Sequence, residues 1–150
     1  MTNKRTLIVS RCDQLFRKLV LIAADNRCQA TGQWDIPLEV HHLVCKRRKF
    51  QTRWLLDNGV AVSISAHARL GNDPVLNRVW GRRLLGDLQY DYILSVAREQ
   101  VPLSQGWLLS VENDLNKQII KWKRASEDPD FFLNRRKAIG FKDRGRKNGI

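Results

Sequence analysis

Two short stretches decide how this chain is expected to fold: LEVHHLVC at residues 38–45 and LDNGVAVSISAH at residues 56–67. Together they contain every histidine of the chain, namely His41, His42 and His67. Three histidines scattered over 150 residues would say little. Three histidines gathered in this way indicate a metal-assisted site, because neutral imidazole is a common metal ligand and proton acceptor.

Apolar and β-branched residues predict two strands, at residues 38–44 and 58–64, joined by a basic loop. A short helix that carries His67 is predicted to follow the second strand. The histidines are therefore expected on a small strand–strand–helix unit rather than on separate parts of the fold.

Helices are predicted before and after this unit from the i, i+4 spacing of apolar residues and from cap signals. They cover residues 11–24 with Ser10 as the N-cap, residues 74–85 behind the cap residue Asp73, residues 87–100, and residues 111–125. Residues 103–110 are predicted to be extended. The predicted fold class is α+β, with one domain over residues 1–133 and a basic C-terminal tail over residues 134–150.

The composition limits the partners that the chain is expected to have. The formal net charge is +12 and the sequence pI is about 10.3, which favours a polyanion, and nucleic acid before a membrane surface. No apolar run approaches the roughly 20 residues that span a bilayer. The apolar run at residues 7–9 is too short for a signal-peptide core, which predicts a cytoplasmic protein. The three cysteines are too few for a disulfide framework and are expected to be free thiols.

A histidine pair on a strand, then an asparagine, then a histidine nine residues later resembles the HNH endonucleases, the ββα-metal or His-Me finger superfamily. The residues that match are His41, His42, Asn58 and His67. The resemblance implies a ββα-metal core in which His41 and His67 bind one divalent metal. It implies that His42 is the general base and that Asn58 holds the loop and orients this base. The implied activity is endonucleolytic hydrolysis of DNA with Mg²⁺ or Mn²⁺, leaving 5′-phosphate and 3′-hydroxyl ends; two imidazole ligands also suit Zn²⁺ or Ni²⁺.

The chemistry explains why such residues are needed. Hydrolysis of a phosphodiester requires an activated water, whose proton neutral imidazole can accept near pH 7. It also requires neutralisation of the charge on the departing 3′ oxygen, which a divalent cation can provide. Adjacent residues of a flat strand point to opposite faces. His41 and His42 therefore reach one site only if the strand bends or twists there, as the family's fold implies.

Many HNH domains also carry a structural zinc bound by two CxxC pairs. The corresponding positions in this chain are occupied by Cys28, Thr31, Ser63 and Ala66. Only one of the four ligands remains, and a structural zinc site needs all four. The sequence therefore predicts a domain without a structural zinc.

Basic residues close to the motif are candidates for contacts with DNA phosphates. They are Lys46, Arg47, Arg48 and Lys49, between the two strands, and Arg53. The basic residues of the tail would add salt-sensitive affinity for DNA. Both groups are also compatible with a solvated charged surface.

Residues 28–74 resemble, more loosely, the phage recombination nucleases of the NinG/Rap type. The similarity lies in the Cys28 turn, the histidine strand, the Arg53-Trp54 pair and Gly71-Asn72 after the last helix. It implies a preference for branched DNA, although the chain departs from this family at the missing zinc cysteines and at the His-His pair.

Two other functions fit the same residues. One is a catalytically inactive, basic DNA-binding or recombination-accessory module, and the other is an RNA nuclease, which a competition between DNA and RNA would distinguish. A homodimer is also compatible with the sequence, with its contacts expected among the helices of residues 87–125.

Overall fold

Residues 3–44, 50–128 and 130–131 are described by the computed structural model. They form a two-stranded antiparallel sheet surrounded by helices, so the predicted α+β class is confirmed. The elements in chain order are α1 (Lys4–Ala23), β1 (Leu38–His42), α2 (Phe50–Arg53), a short 3-10 turn (Leu56–Asn58), β2 (Gly59–Ser63), α3 (Ile64–Asn72), α4 (Pro74–Leu85), α5 (Asp87–Val96) and α6 (Gln105–Ser126).

The sheet is a hairpin of β1 and β2, with Leu38 opposite Ser63 and His42 opposite Gly59. Every residue of β2 is buried, which requires that both faces of this strand be covered. Alternation along the strand explains how: Ala61 packs on one side, and its neighbours Val60 and Val62 pack on the other.

The hairpin thus separates two hydrophobic clusters. The α1–α6 core contains Ile8, Cys12, Phe16, Leu19, Val20, Trp54, Ala61, Leu108, Leu115 and Ile119. The α3–α5 core contains Cys28, Ala30, Leu43, Val60, Val62, Ala66, Leu70 and Tyr90. As a result, each face of β1 is directed towards a different set of helices.

A glycine allows α1 to lie directly on the hairpin. A Cβ at Gly59 would lie 2.5 Å from Cζ of Phe16 and 2.7 Å from Cγ2 of Val20. These distances are well below van der Waals contact, so the close approach of α1 depends on the missing side chain. This approach also brings the ring of Phe16 onto β1.

The predicted helix that carries His67 is present as α3, and α4 begins as predicted, with Asp73 accepting hydrogen bonds from the backbone of Val75 and Leu76. The predicted start of the first helix at Arg11 was wrong. Its N-cap is Asn3, whose side chain accepts a hydrogen bond from the backbone N–H of Arg5. A cap signal placed earlier in the chain therefore adds two turns to this helix.

The prediction of an extended segment at residues 103–110 was also wrong, because α6 begins at Gln105. The hydroxyl of Ser104 accepts a hydrogen bond from the backbone N–H of Trp107 at 3.1 Å and caps the helix. At the other boundaries the differences are small: β1 ends at His42, β2 begins at Gly59, and α5 ends at Val96.

Among the described residues, no helix has the length and apolar character needed to cross a membrane. The boundary predicted at residue 133 and the basic tail lie outside the described residues.

Candidate functional site

β1 presents its side chains alternately to the two sides of the hairpin. Glu39 and His41 face α3 and α4, where they contact His67 and Asn77. His42 faces α1, where it contacts Phe16. The two neighbouring histidines therefore lie in different surroundings, as alternation along a strand requires.

The side that faces α3 brings together two of the predicted metal ligands. The rings of His41 and His67 meet edge to face, with 5.1 Å between their centroids. Nδ1 of His67 is hydrogen-bonded to Oε2 of Glu39. The His67 and Glu39 side chains remain 38% and 44% exposed, so this pair is accessible to a ligand from solvent.

Asn77 determines which nitrogen of His41 carries the proton. Its Nδ2 donates to the backbone carbonyl of Leu43 at 2.9 Å, which turns Oδ1 towards Nε2 of His41 at 3.0 Å. An amide oxygen can only accept a hydrogen bond, so Nε2 is the donor and, in the neutral ring, Nδ1 carries the lone pair. Burial lowers the pKa of His41; the hydrogen bond with Asn77 opposes this, and the neighbouring His67 lowers the pKa further. His41 is therefore neutral at pH 7.

His42 is oriented by the backbone rather than by a side chain. Its Nε2 lies 2.9 Å from the backbone carbonyl oxygen of Arg53, to which it must donate. Its ring stacks on Phe16, with 5.4 Å between the centroids and an interplanar angle of 30°. In the neutral ring, Nδ1 is consequently the unprotonated nitrogen.

Asn58 connects the end of β1 to α2. Its side chain is completely buried. Oδ1 accepts from the backbone N–H of Val44 at 2.7 Å, and Nδ2 donates to the carbonyls of Val44 and Thr52, both at 3.0 Å. Because Thr52 precedes Arg53, this amide also holds the part of the backbone whose carbonyl orients His42.

The guanidinium of Arg53 is directed at Asp13 of α1. Its Nε and Nη2 donate to the two carboxylate oxygens at 2.8 and 2.6 Å, and Nε1 of Trp54 donates to Oδ1 at 2.9 Å. The Arg53 side chain is only 17% exposed. A contact with DNA phosphate would have to share or break this ion pair, and the predicted role of Arg53 stays a prediction. The other predicted phosphate contacts, Lys46, Arg47, Arg48 and Lys49, lie outside the described residues.

The four positions that the resemblance matches to zinc ligands are linked by hydrogen bonds in this chain. Sγ of Cys28 accepts from the backbone N–H of Ser63 at 3.2 Å, and Oγ of Ser63 accepts from Ala66 at 3.2 Å. Burial opposes ionisation of Cys28, but hydrogen bonds from Thr31, Ser63 and Ala30 outweigh it and lower the pKa of the thiol. A thiol–backbone contact thus links the segment before β1 to the end of β2, and the expected lack of a structural zinc stays a prediction.

The donor chemistry on the α3 side suits a cation bound by two imidazoles. Within the described parts of the chain, no group of three or more His, Cys, Asp or Glu side chains is arranged to hold a metal ion. The rings of His41 and His67, however, are in contact, and each has one ring nitrogen hydrogen-bonded to an oxygen of Asn77 or Glu39. Histidine metal ligands typically have such an acceptor on the nitrogen that does not bind the metal. The two residues therefore fit a site that leaves most coordination positions to water and phosphate.

Glu39 and Asn77 were missed by the reasoning from sequence. Glu39 could have been found, because a residue two positions before His41 on a strand lies on the same face. Asn77 lies on a separate helix, and no local pattern relates it to β1.

A comparison with known proteins finds no matching family model, curated protein or solved structure.

Proposed function

We propose that this protein is a metal-dependent endonuclease of the HNH type, which hydrolyses phosphodiester bonds of DNA. The observation that carries the proposal is common to all three histidines. Each has one ring nitrogen hydrogen-bonded to an oxygen, from an amide, a backbone carbonyl or a carboxylate. Such contacts fix the ring and assign its proton, as suits a histidine that binds a cation or takes part in proton transfer.

In this proposal His42 is the general base. Nδ1 accepts a proton from a water molecule, and the resulting hydroxide attacks the phosphorus of the scissile phosphate. The bond from phosphorus to the 3′ oxygen breaks, and this oxygen takes a proton from solvent. The carbonyl of Arg53, which accepts from Nε2 at 2.9 Å, would stabilise the imidazolium that forms. Asn58 supports this step indirectly, since it holds the backbone before Arg53.

His41 and His67 would hold the divalent cation. When bound, the cation would neutralise charge on the scissile phosphate and on the departing 3′ oxygen. Glu39 would orient His67 and make it a better ligand, as carboxylates beside metal-binding histidines commonly do. Mg²⁺ and Mn²⁺ are our first candidates, and the two imidazoles leave Zn²⁺ and Ni²⁺ as alternatives.

The scissile phosphate must reach both sides of β1. His42 is the last residue of this strand, so in this proposal the phosphate would approach both histidines of the pair at the end of the strand. The net charge of +12 supports a polyanionic substrate. The looser resemblance to NinG/Rap-type nucleases makes branched DNA the first substrate to test.

One observation favours a second function, a DNA-binding or recombination-accessory module without hydrolysis. His42 packs on Phe16, on the opposite side of β1 from the edge-to-face pair of His41 and His67. A protein that had lost catalysis would have no need to bring these three rings around one phosphate.

The two functions are separated by incubating the protein with plasmid, linear duplex, single-stranded and four-way-junction DNA. Each substrate is tested with Mg²⁺, with Mn²⁺ and with EDTA. Cleavage that EDTA abolishes supports the nuclease, and the preferred substrate then identifies its class. Binding of these DNAs without cleavage in any metal would overturn the nuclease proposal in favour of the accessory module.

A further inference from the structure

Asn77 belongs to none of the elements that carry the histidines, yet it contacts one of them directly. It lies on α4, and its half-buried side chain donates one hydrogen bond and accepts another. One runs from Nδ2 to the carbonyl of Leu43, just beyond the end of β1, and the other joins Oδ1 to Nε2 of His41. The first bond excludes the flipped amide orientation, in which an N–H would face the imidazole.

Packing of α4 fixes the place of this amide. The start of the helix is stabilised by Asp73 as N-cap and by Pro74 in its first turn. One turn after Asn77, a Cβ at Gly81 would lie 2.7 Å from the ring of Tyr90 and 3.3 Å from Cδ2 of Leu43. Both Gly81 and Asn77 thus bring α4 against Leu43, and this packing holds the Asn77 amide in place.

We propose that Asn77 is a positioning residue of the metal site, which keeps the proton of His41 on Nε2 and so reserves Nδ1 for the divalent cation. This inference rests on the proposed function, because it presumes that His41 is a ligand. It extends the site beyond the hairpin and α3 to a fourth element, α4. Removal of a hydrogen-bonding partner behind a metal-binding histidine typically weakens metal affinity about 10- to 100-fold.

The test uses Mn²⁺ alone as the probe and compares the full-length wild type with Asn77→Ala, Asn77→Asp and Asn116→Ala. Asn77→Asp keeps an oxygen that can accept from His41 but loses the donor to the Leu43 carbonyl, so it is expected to restore part of what Asn77→Ala loses. Asn116 is an exposed asparagine of α6 whose side chain donates only to the carbonyl of Glu112 among the described residues, which makes it the matched control. Thermal unfolding establishes that each variant is folded, and Asn77→Leu replaces Asn77→Ala if the latter is not.

Two quantities are measured, the Mn²⁺ dissociation constant and the NMR signal of the His41 Nε2 proton in the absence of metal. We expect Asn77→Ala to bind Mn²⁺ about 10- to 100-fold more weakly and to lose the protected proton signal. Asn77→Asp should recover both in part, and Asn116→Ala should match the wild type. Equal Mn²⁺ binding by wild type and Asn77→Ala would overturn the role of Asn77 while the proposed function stands. Absence of Mn²⁺ binding by the wild type would overturn the proposed function itself.

Discussion

The two sides of the hairpin hold their histidines by different means. On the side of α3 and α4, side chains hold the rings: an amide orients the buried His41, and a carboxylate orients the partly exposed His67. On the side of α1, a backbone carbonyl and an aromatic ring hold His42 against the α1–α6 core. Substitutions of the partly exposed Glu39 and His67 should therefore change ligand binding with little effect on folding. Substitutions on the second side should change stability and chemistry together.

The largest expected effect on the α1 side is that of Gly59→Ala. The added Cβ would clash with Phe16 and Val20, and overpacking of this kind typically costs about 1–3 kcal/mol or more of stability. We expect a loss near the upper end, measured as a lower midpoint of urea unfolding. Gly71→Ala is the control, because nothing lies within 4 Å of its Cβ position and alanine is favoured over glycine in a helix. Equal unfolding midpoints for the two variants would contradict the claim that the close packing of α1 on β2 requires a glycine at position 59.

Asn58→Ala should have the next largest effect. The substitution removes the side-chain partner of the N–H and carbonyl of the half-buried Val44 and one of the two donors to the Thr52 carbonyl, which also accepts from Leu55. An unsatisfied buried group costs about 1–3 kcal/mol. We expect about 2 kcal/mol less stability, with Asn72→Ala, an exposed site at the end of α3, as the neutral control. DNA cleavage should fall further than stability alone explains, whereas Mn²⁺ affinity of the folded variant should stay within a few-fold of the wild type. An equal loss of DNA cleavage and Mn²⁺ affinity would contradict the claim that the two sides of the hairpin have different roles.

Asp13→Ala tests whether the ion pair between α1 and α2 affects His42, the proposed general base. It removes the partner of Arg53 and the acceptor for the buried Trp54. Because the Asp13 side chain is 38% exposed, solvent screening limits the expected loss to about 1 kcal/mol. The rate of cleavage at saturating DNA should fall several-fold, since the Arg53 carbonyl orients His42, while Mn²⁺ affinity should be unchanged. A cleavage rate identical to that of the wild type would show that the ion pair is only structural.

The smallest expected effect concerns the exposed ion pair of Arg11 and Glu112, which joins α1 to α6 away from both sides of the hairpin. The hydrogen bond from Arg11 lowers the pKa of Glu112 below 4.5. A group with a lowered pKa stabilises the folded state above its unfolded-state pKa, and this contribution is lost as the pH falls through the folded-state pKa. Wild type and Glu112→Gln should therefore differ slightly in unfolding midpoint at pH 7 and converge as the pH falls below 4.5. Glu112→Gln should bind Mn²⁺ as the wild type does. A difference in unfolding midpoint that grows as the pH falls would contradict the stabilising role of the ion pair.

Sequence alone was sufficient for the parts of the site that depend on local patterns. The β-branched runs predicted both strands, and the spacing of the motif placed His67 on the helix after them. Cap signals at Asn3 and Ser104 were present in the sequence, and the true helix starts follow from them. The contacts that orient the rings could not be predicted in this way. Asn77 and Asp13 reach β1 and α2 across large separations in the chain, and only the packing of α4 and α1 brings them there.

The central claim is that both sides of the hairpin serve one hydrolytic site, and His42→Ala tests it most directly. Single-turnover cleavage of the preferred DNA in Mn²⁺ is measured for wild type and variant, with DNA and Mn²⁺ affinities determined on the same samples. Removal of a general base typically costs about 10²- to 10⁴-fold in rate. We therefore expect cleavage to fall at least about 100-fold while both affinities stay close to those of the wild type. Cleavage by His42→Ala at the wild-type rate would contradict the account.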